Sequence, residues 1–126
     1  MTTVLILIAH GSRQAEANDD LYATVESLRS VGRYPIVEPA FLELAEPTIE
    51  QTSHRCIQLG ADRVILLPYF LSAGVHVQRD LAAQRDLVSR RHAVEVVLAA
   101  PIGRHKFLIE VLCERAIEAE RLLDGV

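Results

Sequence analysis

The 126-residue sequence predicts an α/β fold, a parallel sheet of four strands flanked by helices on both faces. Three observations predict it. Continuous aliphatic blocks such as Val4–Ala9 and Arg63–Pro68 read as strands buried on both sides, because a strand with one wet face would alternate apolar and polar residues. Between the blocks the apolar residues shift to helical spacing. Strand and helix then alternate four times, the order that builds βαβ units with right-handed crossovers.

The first strand, Val4–Ala9, is broken by Gly11 and Ser12. Leu21, Val25 and Leu28 recur at helical spacing until Gly32 and Pro35 stop the first helix. A second strand over Ile36–Leu42 carries Pro39, which argues against a central place in the sheet. Pro47 suits the first turn of a second helix with a buried stripe of Ile49, Ser53, Cys56 and Ile57, and Gly60 supplies a left-handed cap. The third strand, Arg63–Pro68, runs into a polar, glycine-containing stretch that presents His76. A third helix is expected over Val77–Arg90, a fourth strand over Val94–Ala100 and a last helix over Arg104–Leu123. The strand order that follows is 2-1-3-4, a small flavodoxin-like sheet. In such sheets the ligand crevice lies beyond the carboxyl ends of the strands where the order reverses, here between the first and third strands.

Composition bounds the function. Half the residues are hydrophobic but only 5% are aromatic, so the core is aliphatic, and residues 1–126 are expected to form one domain. A mean hydropathy of +0.20 excludes intrinsic disorder. A net charge of −4 and a pI of about 5.7 leave no basic face for nucleic acid. Val4–Ala9 is too short for a signal core or a bilayer span, and no basic residue precedes it, so the expected location is cytoplasmic and off the membrane. Cys56 and Cys113 fall inside helices and are expected to be buried, apolar thiols.

The residues at the predicted crevice carry the chemistry. The first strand ends in His10-Gly11-Ser12-Arg13, the second in Glu43, and the third leads to His76, with Asp80 one turn further as a partner for its ring. Two neutral imidazoles and a carboxylate make an open site for a borderline divalent cation, with positions left for water or substrate. Gly11 permits close backbone approach. Ser12 is expected to cap the first helix or its loop. Arg13, Arg79 and Arg104 lie near the same rim, where they can meet anions. His54 and His92 read as surface residues, while His105 is divided between a rim contact and helix-end packing. The sequence lacks GxGxxG, P-loop and GxSxG motifs.

The segments LILIAHGSR, FLE, LLPYFLSAGVHVQRD and APIGRH, in this order, resemble the small sirohydrochlorin chelatases of the CbiX/SirB type, which are class II tetrapyrrole chelatases. The resemblance covers essentially the whole chain. It implies a lyase that inserts Co²⁺ or Fe²⁺, with Ni²⁺ as a further candidate, into sirohydrochlorin for cobalamin or sirohaem biosynthesis, without a nucleotide cofactor. It also implies that His10 and His76 bind metal and serve catalysis, with Glu43 as the accompanying acid. Ser12, Ser72, Arg13, Arg79 and Arg104 complete the substrate-binding set. Longer relatives carry two such halves in tandem, so the resemblance implies a homodimer here. The division of base and ligand between His10 and His76 stays open. A non-catalytic metal or tetrapyrrole carrier using the same pocket is the rival reading, and a flavodoxin-like phosphate or nucleotide binder is a third.

Overall fold

The computed structural model describes residues 1–125. Four strands, β1 (Thr3–Ala9), β2 (Ile36–Phe41), β3 (Arg63–Pro68) and β4 (Glu95–Leu98), alternate with four helices, α1 (Ala15–Val31), α2 (Ile49–Gln58), α3 (Val75–His92) and α4 (Lys106–Leu123). All the strand pairs are parallel and the order is β2-β1-β3-β4, as the sequence predicts. Pro39 sits on β2, an edge strand, where a missing N–H costs least.

The sheet buries two separate clusters. Val4, Ile6 and Ile8 of β1 join Val64 and Leu66 of β3 beneath Ile49 and Cys56 of α2 and Leu81 and Val88 of α3. On the opposite face Leu5, Leu7, Val37 and Phe41 meet Leu21 and Val25 of α1. β1 therefore supplies alternate residues to both cores, which is why its sequence is apolar without interruption.

Several boundaries differ from the sequence reading. Pro47 lies before α2, not in its first turn. Thr48 is the N-cap, and the Thr48–Gln51 capping box satisfies both backbone N–H groups at 3.1 and 2.8 Å. β2 ends at Phe41 and β4 is shorter at both ends than expected. α3 starts at Val75 and runs to His92, so His76 belongs to a helix and not to a loop. His92 is not a surface residue, since its side chain is 11% exposed and its Nε2 lies 3.0 Å from Glu50 Oε1. His54 is exposed, as expected.

The largest departure is α4. It begins at Lys106 because His105 is its N-cap, and no residue of it is buried. α1 packs mainly on β1 and β2, with Ile65 and Leu67 of β3 at the edge of the same core, so helices do not fully cover the α1 side of the sheet. Cys113, expected in the core, is exposed, whereas Cys56 is fully buried.

Burial, reinforced by the Glu38 carboxylate, pushes the Cys56 thiol from its ordinary value of 9.0 up to about 11. A thiol that holds its proton longer when folded stabilises the native state less as pH rises. Stability is therefore expected to fall by roughly 2–3 kcal/mol between pH 9 and 11, where the unfolded chain ionises first. Urea titrations across this range check the slope against Cys56→Ala, which should flatten it. In the native protein a thiol reagent should modify Cys113 alone, with Cys56 reacting only after denaturation.

Candidate active site at the carboxyl ends of the strands

β1 delivers His10 to the point where the strand order reverses, and backbone hydrogen bonds hold that exit from both sides. Tyr69 N–H donates to Ile8 O at 2.7 Å, Leu42 N–H to Ala9 O at 2.9 Å and Glu43 N–H to His10 O at 2.9 Å. The parallel ladder thus continues past the strand ends and fixes Glu43 beside His10. Gly11 makes this possible. Its φ is +96°, and a β-carbon there would stand 1.9 Å from Glu43 O, inside any tolerable contact. Leu44, the next residue along, also takes a left-handed backbone, with φ 63°.

The His10 imidazole lies against the Phe70 ring, with centroids 4.2 Å apart and planes 18° from parallel. Phe70 is itself buried, so one face of the imidazole is covered while the residue as a whole remains exposed. Glu43 and His76 are exposed as well. His76 occupies the first turn of α3 after the Gly74 N-cap, where Gln78 N–H donates to Gly74 O at 2.9 Å. Among the described residues no hydrogen bond, ion pair or ring contact joins His76 to His10, to Glu43 or to Asp80. Among the described residues no three His, Cys, Asp or Glu side chains are grouped to hold a metal ion. Backbone hydrogen bonding thus joins the His10 and Glu43 segments, and His76 stands on the first turn of α3 at the same end of the sheet. An open hollow of about 400 Å³ at this end lies beside the ends of β3 and β4, lined by Pro68, Leu98 and Pro101 among others.

Arg13, Arg79 and Arg104 are exposed, and among the described residues none of them pairs with a carboxylate. Arg29, Arg55, Arg85, Arg91 and Arg115, by contrast, all do. Ser12 caps its loop and not the helix. Its Oγ accepts from Gln14 N–H at 3.1 Å, and Gln14 is the residue at the N-cap. Ser72 is exposed in the β3–α3 loop. His105 Nδ1 accepts from Phe107 N–H at 3.2 Å, which settles it as the α4 cap.

Comparison with known proteins identifies the group. The sequence profile of the CbiX family matches residues 4–119. The chain belongs to the CbiX family. A chloroplastic sirohydrochlorin ferrochelatase of Arabidopsis thaliana is 38% identical over 112 residues, covering 88% of this chain and 50% of that one. A sirohydrochlorin cobaltochelatase of Sulfolobus acidocaldarius is 31% identical over 115 residues, covering 91% and 90%. Among solved structures, the sirohydrochlorin chelatase SirB from Bacillus subtilis subspecies spizizenii in complex with cobalt superposes with a TM-score of 0.86 at 26% identity, over 94% of this chain and 51% of that one. The chain thus spans about half the length of the first and third of these CbiX relatives.

Sequence reasoning missed the residues that support the CbiX motif from behind. Asn18 clamps the loop, its Oδ1 accepting from Ser12 N–H at 3.0 Å and its Nδ2 donating to Ser12 O at 2.9 Å. Tyr69 OH lies 3.3 Å from Thr24 Oγ1 and ties the end of β3 to α1. Phe70 carried a signal, being one of only three phenylalanines in an aliphatic chain. Asn18 carried none, because an asparagine in a first helical turn is ordinary. Gly11→Ala is expected to cost at least about 2 kcal/mol, since both the left-handed backbone and the Glu43 contact oppose a β-carbon. Thermal unfolding measures it, and an unchanged melting temperature would show that the β2 loop yields freely.

Proposed function

We propose that this chain inserts a divalent metal, Co²⁺ or Fe²⁺, into sirohydrochlorin. The observation that carries the reading is the junction of His10 and Glu43 at the switch point of a sheet that belongs to the CbiX family. The chemistry asks for three things. Two pyrrole N–H protons must leave for each cation that enters, the cation must shed part of its water, and the macrocycle's carboxylates must be neutralised.

An imidazole accepts a proton near neutral pH and also binds these cations through the same lone pair, which suits His10 and His76 to base and ligand. Glu43, joined to His10 through the backbone, is the carboxylate to take or relay a proton. The Phe70 ring limits the orientations open to the His10 imidazole, so less ordering is needed when a cation arrives. Arg13, Arg79 and Arg104, without carboxylate partners among the described residues, are available for charge-assisted bonds to the substrate's carboxylates, with Ser12 and Ser72 beside them. Local cations explain how a chain of net charge −4 accepts a polyanion. Ni²⁺ fits the same nitrogen ligands, and no step requires a nucleotide. One such domain of residues 1–126 offers half of a two-lobed cleft, which a homodimer completes. No described helix is long and apolar enough to cross a membrane, in keeping with action in the cytoplasm.

Anaerobic spectrophotometric metal insertion tests the reading. His10→Ala and His76→Ala should each lower the rate at least about 100-fold, and Glu43→Gln by a smaller factor. All three residues are exposed, so their melting temperatures should stay near the parent value. Stoichiometric binding of Co²⁺ and sirohydrochlorin without insertion would replace the enzyme with a carrier.

A further inference from the structure

Two different parts of the fold hold the two ends of the segment from His10 to Arg13. The His10 end belongs to the sheet. Backbone N–H groups of Tyr69, Leu42 and Glu43 donate to the carbonyls of Ile8, Ala9 and His10 at 2.7, 2.9 and 2.9 Å. Next comes Gly11 with φ +96°, the residue type whose backbone has the widest choice of conformations. Rotation there would let Ser12 and Arg13 swing while His10 stayed in place.

The Arg13 end belongs to α1. Asn18 Oδ1 accepts from Ser12 N–H at 3.0 Å, and Asn18 Nδ2 donates to Ser12 O at 2.9 Å. That N–H lies in the peptide plane shared with Gly11, and that carbonyl in the plane shared with Arg13. One side-chain amide therefore fixes both planes that flank Ser12. Ser12 Oγ adds a third tie by accepting from Gln14 N–H at 3.1 Å. Only a side chain with a donor and an acceptor on one short stem can grip a residue in this way. Ionised aspartate offers acceptors alone, and alanine offers neither. Asn18 is itself anchored, since it lies three residues before Leu21 and seven before Val25, on the face of α1 that enters the core.

Arg13 is what this grip presents. It is exposed, and among the described residues it pairs with no carboxylate. An arginine loses conformational freedom when it binds an anion, so a fixed backbone beneath it reduces the ordering that binding demands.

We propose that Asn18 is a positioning residue for substrate binding, which acts through Ser12 to aim Arg13 at a carboxylate of the tetrapyrrole. It leaves the His10 end of the segment to the sheet. The inference rests on the chelatase reading for the identity of the ligand, and it gives binding and chemistry separate supports. The sheet holds His10 for the cation, and α1 holds Arg13 for the charge on the macrocycle.

Fluorescence titration of the full chain with metal-free sirohydrochlorin gives Kd, and anaerobic insertion of Co²⁺ gives kcat and KM. Asn18→Ala is expected to raise Kd and KM about fivefold to tenfold, with kcat within about twofold of the parent. Asn18→Asp is the second variant should the first not fold. It keeps an acceptor for Ser12 N–H but sets a carboxylate oxygen against Ser12 O, and should weaken binding at least as much. Arg13→Ala should raise Kd by a similar factor. Adding Asn18→Ala to it should then change Kd by less than about twofold, because a residue acting through Arg13 has nothing left to aim. Amide exchange gives a readout that needs no ligand. Ser12 N–H should exchange at least about tenfold faster in Asn18→Ala, with Leu42, Glu43 and Tyr69 N–H unchanged. A fall in kcat at constant Kd, an effect that adds in full to that of Arg13→Ala, or lost protection at Glu43 overturns the proposal. The parent separates the two readings. A parent that inserts metal, with Asn18 variants that bind as tightly, removes the positioning role and keeps the chelatase. A parent that binds sirohydrochlorin without inserting metal removes the chelatase, and the Kd pattern alone then upholds or overturns the positioning role.

Discussion

Everything at the candidate site depends on β1 being hydrogen-bonded on both sides. A strand paired with β2 on one edge and β3 on the other has its backbone polar groups satisfied, and because both of its faces are covered, Val4 to Ile8 are all apolar and divide between two cores. The same double pairing creates the point where the chain passes from one side of the sheet to the other. The residue that emerges there, His10, is positioned by five preceding residues with almost no solvent contact. Rigidity at the root of the site is thus a consequence of burial in the strand and needs no special device.

What the root does not determine, the flanking loops do. Gly11 lets the β1 exit and the β2 exit come within hydrogen-bonding distance, and Phe70 from the β3 exit covers one face of the imidazole. Three successive strand ends are thereby tied into one structure. His76 stands outside that knot, on the first turn of a helix whose start is held by Gly74 and Gln78. A site built this way has one fixed half and one half carried by a helix terminus.

The two faces of the sheet are treated unequally. α2 and α3 seal one, and α1 seals only part of the other. On the incompletely covered face Val97 is 51% exposed, and α4 buries none of its residues. The segment from Ala99 to His105, which leads into α4, has its backbone anchored beside Phe70.

Much of this was legible in the sequence. Uninterrupted aliphatic blocks mark strands buried on both faces, Pro39 marks an edge, and Gly60 marks the end of α2, because each reflects a local backbone or burial requirement. The placement of His10 and Glu43 at one end of the sheet followed from the strand order. Tertiary structure alone decided that Thr48 and not Pro47 opens α2, that His92 is covered by Glu50, that Asn18 clamps Ser12, and that Phe70 stacks on His10. It also decided that Cys113 is exposed. Apolar spacing records that a helix has a face to bury, but not which surface, or whose, will cover it. That answer depends on contacts between residues distant along the chain.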